Sequence, residues 1–115
     1  METAAHDSSY VGGLRWRGWN WTKPLATLTI TDTGIVARTR FSFMKRLQTS
    51  WSWAQDHRVQ PVRGAIPIPS NVGVAFYGPG RLVFWSSVGD RDRIIEDVRR
   101  RSPSTQVLAA RVWVF

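Results

Sequence analysis

The chain contains no cysteine. Disulfides, cysteine-based zinc sites, iron–sulfur clusters and thiol catalysis are therefore excluded. Histidine is almost as scarce: His6 and His57 are the two in the chain, too few for a histidine-rich metal cage. Acidic residues are also few. Eight Asp and Glu stand against sixteen Lys and Arg, a formal charge of +8. No apolar run approaches the roughly 18 residues that a bilayer-spanning helix needs. Met1 to Ser9 is small and polar, without the apolar region of a secretory signal, and Glu2 rather than glycine follows Met1. The expected location is the cytoplasm, at most peripheral at a membrane.

What remains has the texture of one globular domain. Hydrophobic residues are 43% of the 115 and charged residues 21%, which argues against wholesale disorder. Fourteen of the sixteen bases are arginine. The surplus is local: residues 14–46 hold seven bases (Arg15, Arg17, Lys23, Arg38, Arg40, Lys45, Arg46) against Asp32 alone. Residues 90–101 hold five bases against four acids. A local surplus favours a basic face and anionic partners over uniformly solvated charge.

Residues 1–13 read as a tail ending in Gly12-Gly13, and residues 14–115 as a single domain. Leu14 to Trp19 alternates apolar and polar residues, the pattern of a first strand. After Pro24, Leu25 to Thr31 places Leu28 and Ile30 on one face and threonines on the other. Asp32-Thr33-Gly34 is a turn in which Gly34 is free to take a positive φ. Ile35 to Phe43 then sends Ile35, Ala37, Thr39, Phe41 and Phe43 inward and Arg38 and Arg40 outward. Residues 44–50 read as a loop, Trp51 to about Val62 as extended chain and 61–71 as an irregular connection, so that residues 51–71 hold either one strand or two. Val72–Tyr77 and Arg81–Trp85 form a hairpin about Gly78-Pro79-Gly80. The period then changes. Ile94, Ile95 and Val98 make a helical stripe over about 90–101, with acids early and Arg99-Arg100-Arg101 late, as the helix dipole favours. An extra strand follows at about 106–114, apolar on both faces. The order is mainly β: six to seven antiparallel strands, one C-terminal helix and a final strand. It implies a bent barrel or sandwich with the helix laid over one corner.

The stretch Asn20-Trp21-Thr22-Lys23-Pro24-Leu25-Ala26-Thr27-Leu28-Thr29-Ile30-Thr31-Asp32-Thr33-Gly34-Ile35 resembles the pleckstrin-homology-like (PH/GRAM-like) superfamily, in its small bacterial members. So does Gly73 to Gly78 answered by Leu82 to Trp85 and then by the helix. The resemblance covers roughly residues 14–101. It implies a bent seven-stranded barrel capped by the helix, and a binding or scaffolding role rather than catalysis. Lys23 with Arg38-Thr39-Arg40 imitates the basic pattern of members that bind inositol phosphates. The turn at 32–34 lies at the far end from those side chains, however. The family's helix tryptophan is missing from residues 90–101, and the strand after the helix is an addition.

Chemical motifs are absent. There is no Gly-x-Ser-x-Gly elbow and no HExxH, and Gly78-Pro79-Gly80-Arg81 precedes a strand rather than a helix. Asp56 and His57 are sequence neighbours, which on a strand point to opposite faces. The expectation is a non-enzyme with no catalytic residue, metal or cofactor. Seven tryptophans are many. Trp21, Trp53 and Trp85 suit a small core, whereas Trp16 and Trp19, on opposite faces, leave at least one partly exposed. Phe41 to Arg46 resembles a membrane-inserting loop, but parity sends both phenylalanines inward.

The candidate ligand-binding residues are therefore Lys23, Arg38, Arg40, Lys45 and Arg46. Arg81 joins their end of the barrel only if residues 51–71 hold one strand rather than two. The expected ligand is a protein partner or an anionic lipid head group. Non-specific nucleic-acid binding through arginine and exposed tryptophan is the alternative, and a structural oligomerisation domain a third. Val107, Trp113 and Phe115 on the two-faced last strand are the candidate interface of a homodimer.

Overall fold

The computed structural model describes residues 7–16, 19–39, 48–54, 57–64, 72–78 and 80–113, with the backbone alone at 16, 19–25, 88 and 113. The elements are β1 (Ser8–Trp16), β2 (Trp19–Ile30), β3 (Gly34–Thr39), β4 (Gln48–Ser52), β5 (Arg58–Gly64), β6 (Val72–Tyr77), β7 (Arg81–Ser86), α1 (Val88–Arg101), β8 (Gln106–Val107) and β9 (Arg111–Trp113). The mainly β class with one late helix is as expected. The strands form one open sheet in the order β4-β3-β2-β1-β7-β6-β5, with β8 and β9 along the outer edge of β5.

β1 joins the two halves of this sheet. It pairs with β2 on one side, and from Gly13 onward with β7 on the other. Its register with β2 shifts between Gly12 and Leu14: Gly12 faces Ala26, whereas Leu14 faces Trp21. The extra residues of β2 there include Pro24, which lacks a ladder N–H and is tolerated at such irregularities. A Cβ on Gly12 would lie 2.0 Å from the Trp85 carbonyl oxygen, so the close crossing requires glycine.

Both halves bury side chains in one cluster. Leu14, Leu28, Ile30 and Ile35 meet Val59, Val74, Phe76, Leu82 and Phe84, and α1 adds Ile94 and Val98. The inward and outward parity of β2 and β3 is as the alternation predicts, with Leu28, Ile30, Ile35, Ala37 and Thr39 buried and Arg38 exposed. A second cluster, Val62, Ala75, Val83 and Trp85 with Tyr77 against it, lies on the opposite face of β5–β7. Ser87 caps α1, its Oγ accepting from the Asp90 N–H at 3.2 Å.

Several boundaries differ from expectation, each for a physical reason. Residues 8–13 are strand rather than tail. Ser8, Tyr10 and Gly12 occupy the inward positions, so no apolar alternation marks them. Leu14 to Trp19 is not one strand, because Trp16 pairs with Trp19 across the join of β1 and β2. Lys23 therefore lies within β2. β4 begins at Gln48, inside the expected loop, and Trp51 to Val62 is broken between Ser52 and Arg58. Gly34 serves close approach and not a positive φ: a Cβ there would meet the Trp51 carbonyl oxygen at 1.8 Å. The helix starts at Val88.

The expected final strand is split in two and lies parallel to β5 of its own chain. The strand added after the helix therefore has a seat on its own sheet. The register explains the split. Val59 O accepts from Leu108 N at 2.8 Å, so Val59 turns its backbone groups towards the tail, and by alternation Pro61 does too. Pro61 has no N–H to give. There the tail slips: Val59 faces Val107 but Val62 faces Arg111, one residue more on the tail side. The Gln60 side chain crosses the gap, Nε2 donating to Ala109 O at 2.8 Å.

Ile94→Ala is expected to cost about 2–5 kcal/mol, as for a large buried aliphatic side chain truncated in a core. Gly12→Ala is expected to cost roughly 1–3 kcal/mol through the clash at Trp85. Denaturant midpoints read both. A parental midpoint for either variant would contradict the packing described.

Candidate functional site

Among the described residues no Asp or Glu falls in a strand, whereas seven bases do: Arg15, Lys23, Arg38, Arg58, Arg63, Arg81 and Arg111. Acids concentrate on α1, where they meet arginine. Asp90 pairs with Arg93, Asp92 with Arg91, and Asp97 with both Arg100 and Arg101. Arg101 also donates to Asp32 Oδ1 at 2.8 Å and to Ser8 Oγ at 3.5 Å, tying the end of α1 to the β2–β3 turn and the start of β1. The charges of the helix thus largely offset one another, and the surplus falls on the strands.

The expected basic end is only partly present among the described residues. Arg38 is exposed on the outer face of β3, opposite Thr27 and Gln48. Lys23 lies on β2 in the stretch where the register shifts. Arg40, Lys45 and Arg46 lie outside the described residues. Residues 51–71 hold parts of two strands, the condition under which Arg81 leaves this group. β2 and β1 separate β3 from β7, about 14 Å along the sheet from Arg38 to the strand of Arg81.

Arg81 has other neighbours. Arg58, Tyr77 and Arg81 lie directly across from one another on β5, β6 and β7, a row on the face opposite the main core. The Arg58 guanidinium carbon is 5.7 Å from the Tyr77 ring centroid, a cation–π distance. The Tyr77 hydroxyl donates to Gln60 Oε1 at 2.7 Å, which fixes the ring. By register Arg15, opposite Val83, and Arg111, opposite Val62, belong to the same face. Sequence reading misses this row because it depends on the pairing of β5 with β6, which no local pattern specifies. The one signal is that Arg58 and Arg81 sit at the starts of their strands.

His57 is half-buried. Its Nε2 lies 2.7 Å from Thr105 Oγ1 and 3.1 Å from Ser102 Oγ, and its ring centroid is 5.0 Å from that of Trp53. Ser102 and Thr105 are both buried, so neither hydroxyl is presented to solvent as a nucleophile. The cluster latches the turn after α1 onto the start of β5. Asp56 lies outside the described residues. Among the described residues no three His, Asp or Glu side chains converge as a metal site, and no helix is long and apolar enough to cross a membrane.

Of the candidate interface residues, Val107 sits on β8 beside Val59 and remains 38% exposed. Trp113 lies on β9 opposite Gly64, and Phe115 lies outside the described residues. No protein-family model matches the chain, and no curated protein matches it.

Burial pushes the Tyr10 phenol above its usual value of 10.0, and the charges of Asp97 and Asp90 push it further. The unfolded chain then gives up this proton first. The group costs nothing below the usual value, and stability falls as pH rises through the titration. Tyr10→Phe is expected to remove that alkaline loss, read from unfolding midpoints between neutral and strongly alkaline pH. An unchanged alkaline slope would contradict this placement.

Proposed function

We propose that the chain is a non-catalytic binding module, of pleckstrin-homology-like type, that engages an anionic protein surface or lipid head group through arginines on its sheet. The carrying observation is the segregation of charge: bases and no acids on the strands, acids paired on the helix. Strands that carry arginine and no Asp or Glu of their own raise the local concentration of anionic ligands, and guanidinium forks suit phosphate and carboxylate geometry. The domain type is supported by seven antiparallel strands followed by a helix that packs Ile94 and Val98 into their core. The binding face is proposed to run from Arg38 across to the row of Arg58, Tyr77 and Arg81, with Lys23, Arg40, Lys45 and Arg46 adding to its β2–β3 side. Self-association through residues 106–115 is part of the same proposal.

The test is co-sedimentation with vesicles of acidic and of neutral phospholipid, beside capture on an acidic peptide surface and gel shift of single-stranded DNA. Binding to an anionic target is expected to weaken steeply between about 50 and about 200 mM salt. Arg38→Gln combined with Arg58→Gln and Arg81→Gln is expected to reduce it at least tenfold while the chain still unfolds cooperatively, its melting temperature lowered only by the lost arginine contacts. Arg38 and Arg58 are exposed, and Arg81 opens its strand. Binding that ignores salt and all three substitutions would overturn the site. Binding confined to single-stranded DNA would move the protein to the nucleic-acid class.

A further inference from the structure

The C-terminal segment covers the edge of β5 through two short pairings. Two residues of β8 and three of β9 pair with β5, with the slip at Pro61 between them. Gln106, Val107 and residues 109–112 are exposed, and only Leu108 among residues 106–112 is half-buried. Val107 and Val112 are 38% and 45% exposed, two of the three large apolar side chains left exposed among the described residues. On β5 their register partners are Val59, which is fully buried, and Arg63, which is exposed.

Four residues, Ser102 to Thr105, connect α1 to this segment. They turn back through a Thr105 N–H to Ser102 O bond of 2.9 Å and through the two hydroxyls at His57 Nε2. Ser102 precedes Pro103 and already has a non-helical backbone, φ −136° and ψ 84°. Residues before proline favour extended conformations. Straightening this connection therefore asks little of the backbone, and extended it spans about 14 Å. The contacts that such opening breaks are those of the turn. Every contact of β8 and β9 with β5 is available unchanged on another copy of the chain.

We propose that residues 106–113 exchange between two copies, each laying its tail along β5 of the other to form a symmetric dimer. The proposal rests on the self-association reading and names its occupant. A second copy is the partner whose fit is given in advance, since register, the slip at Pro61 and the Gln60 bridge are the same in trans as in cis. A short connection gives the tail in cis a high effective concentration, of millimolar order. The exchange is favoured further if the exposed Val107 and Val112 are covered where the two copies meet.

The absence of native cysteine makes the test direct. Arg63 and Val112 are register partners on β5 and β9 and both are exposed. Chains carrying Arg63→Cys alone and Val112→Cys alone are concentrated together and then oxidised. Exchange is expected to give a covalent dimer joining one chain of each kind, well above the like-with-like products. Sedimentation of the unaltered chain is expected to show a dimer that grows with concentration in the high micromolar range. Deleting Pro103 and Ser104, which leaves too little chain for the turn, is expected to make the dimer predominate. An unaltered chain that stays monomeric at high micromolar concentration would overturn both the exchange and self-association. A dimer without the mixed disulfide would overturn the exchange alone and leave dimerisation through another face.

Discussion

The architecture depends on one strand serving two neighbours in different directions. β1 pairs with β2 along its length and with β7 from Gly13 onward, and between Gly12 and Leu14 it changes register. Without that shared strand, β2–β4 and β5–β7 are two small antiparallel sheets with no common interior. With it, Leu14 stands where Leu28 and Phe84 can both reach it, and one cluster holds residues of both halves and of α1. A side chain at Gly12 would push the Trp85 carbonyl away and open the crossing. The bend thus rests on a residue contributing no apolar surface, while the stabilisation comes from the large residues that it brings together.

This division of labour explains what the sequence discloses. Where a strand is half-buried and regular, side chains report it: Leu28 and Ile30 against the threonines, Ile35 and Ala37 against Arg38, and the turn at Gly78 between β6 and β7. The helix is legible from Ile94 and Val98 for the same reason. The first half of β1 is hidden because Ser8, Tyr10 and Gly12 hold its inward positions. The passage of β2 through Pro24 is hidden because proline normally ends a strand and is tolerated here by a register shift. The break between β4 and β5 is hidden because no glycine or proline marks residues 52–58, and its signal is a serine turn, Ser52 Oγ accepting from the Ala54 N–H at 3.1 Å. In the candidate face, parity alone places Arg38 outward. Setting Arg58 beside Arg81 requires the long-range pairing of β5, β6 and β7, and the same holds for the His57 latch.

Charge follows the same architecture. Asp97 and Arg101 are nearly removed from solvent, their side chains 5% and 6% exposed. A buried pair of this kind adds little net stability, but losing one partner strands the other charge, a cost of about 3–5 kcal/mol. Asp97 therefore needs Arg101, and through Arg101 the end of α1 is tied to Asp32 in the β2–β3 turn. Asp97 Oδ2 remains buried without a partner, which adds to the dependence of the carboxylate on its arginines. Four of the eight acids thus lie on the helix, among its own arginines.

An open sheet has two edges, and this chain treats them differently. Unpaired strand edges invite association. β4 is short, and its outward residues, Gln48, Ser50 and Ser52, are polar, which discourages docking of an apolar strand. β5 is longer, has Val59 and Val62 fully buried, and carries one proline. Pro61 breaks the row of donors along the open side of β5, so no continuous strand can be satisfied there. The tail meets that constraint by slipping one residue and borrowing the amide of Gln60 for Ala109. The edge of β5 thus selects a segment with a matching irregularity, residues 106–113 of this same sequence. A generic extended peptide brought to β5 would leave a carbonyl unsatisfied opposite Pro61.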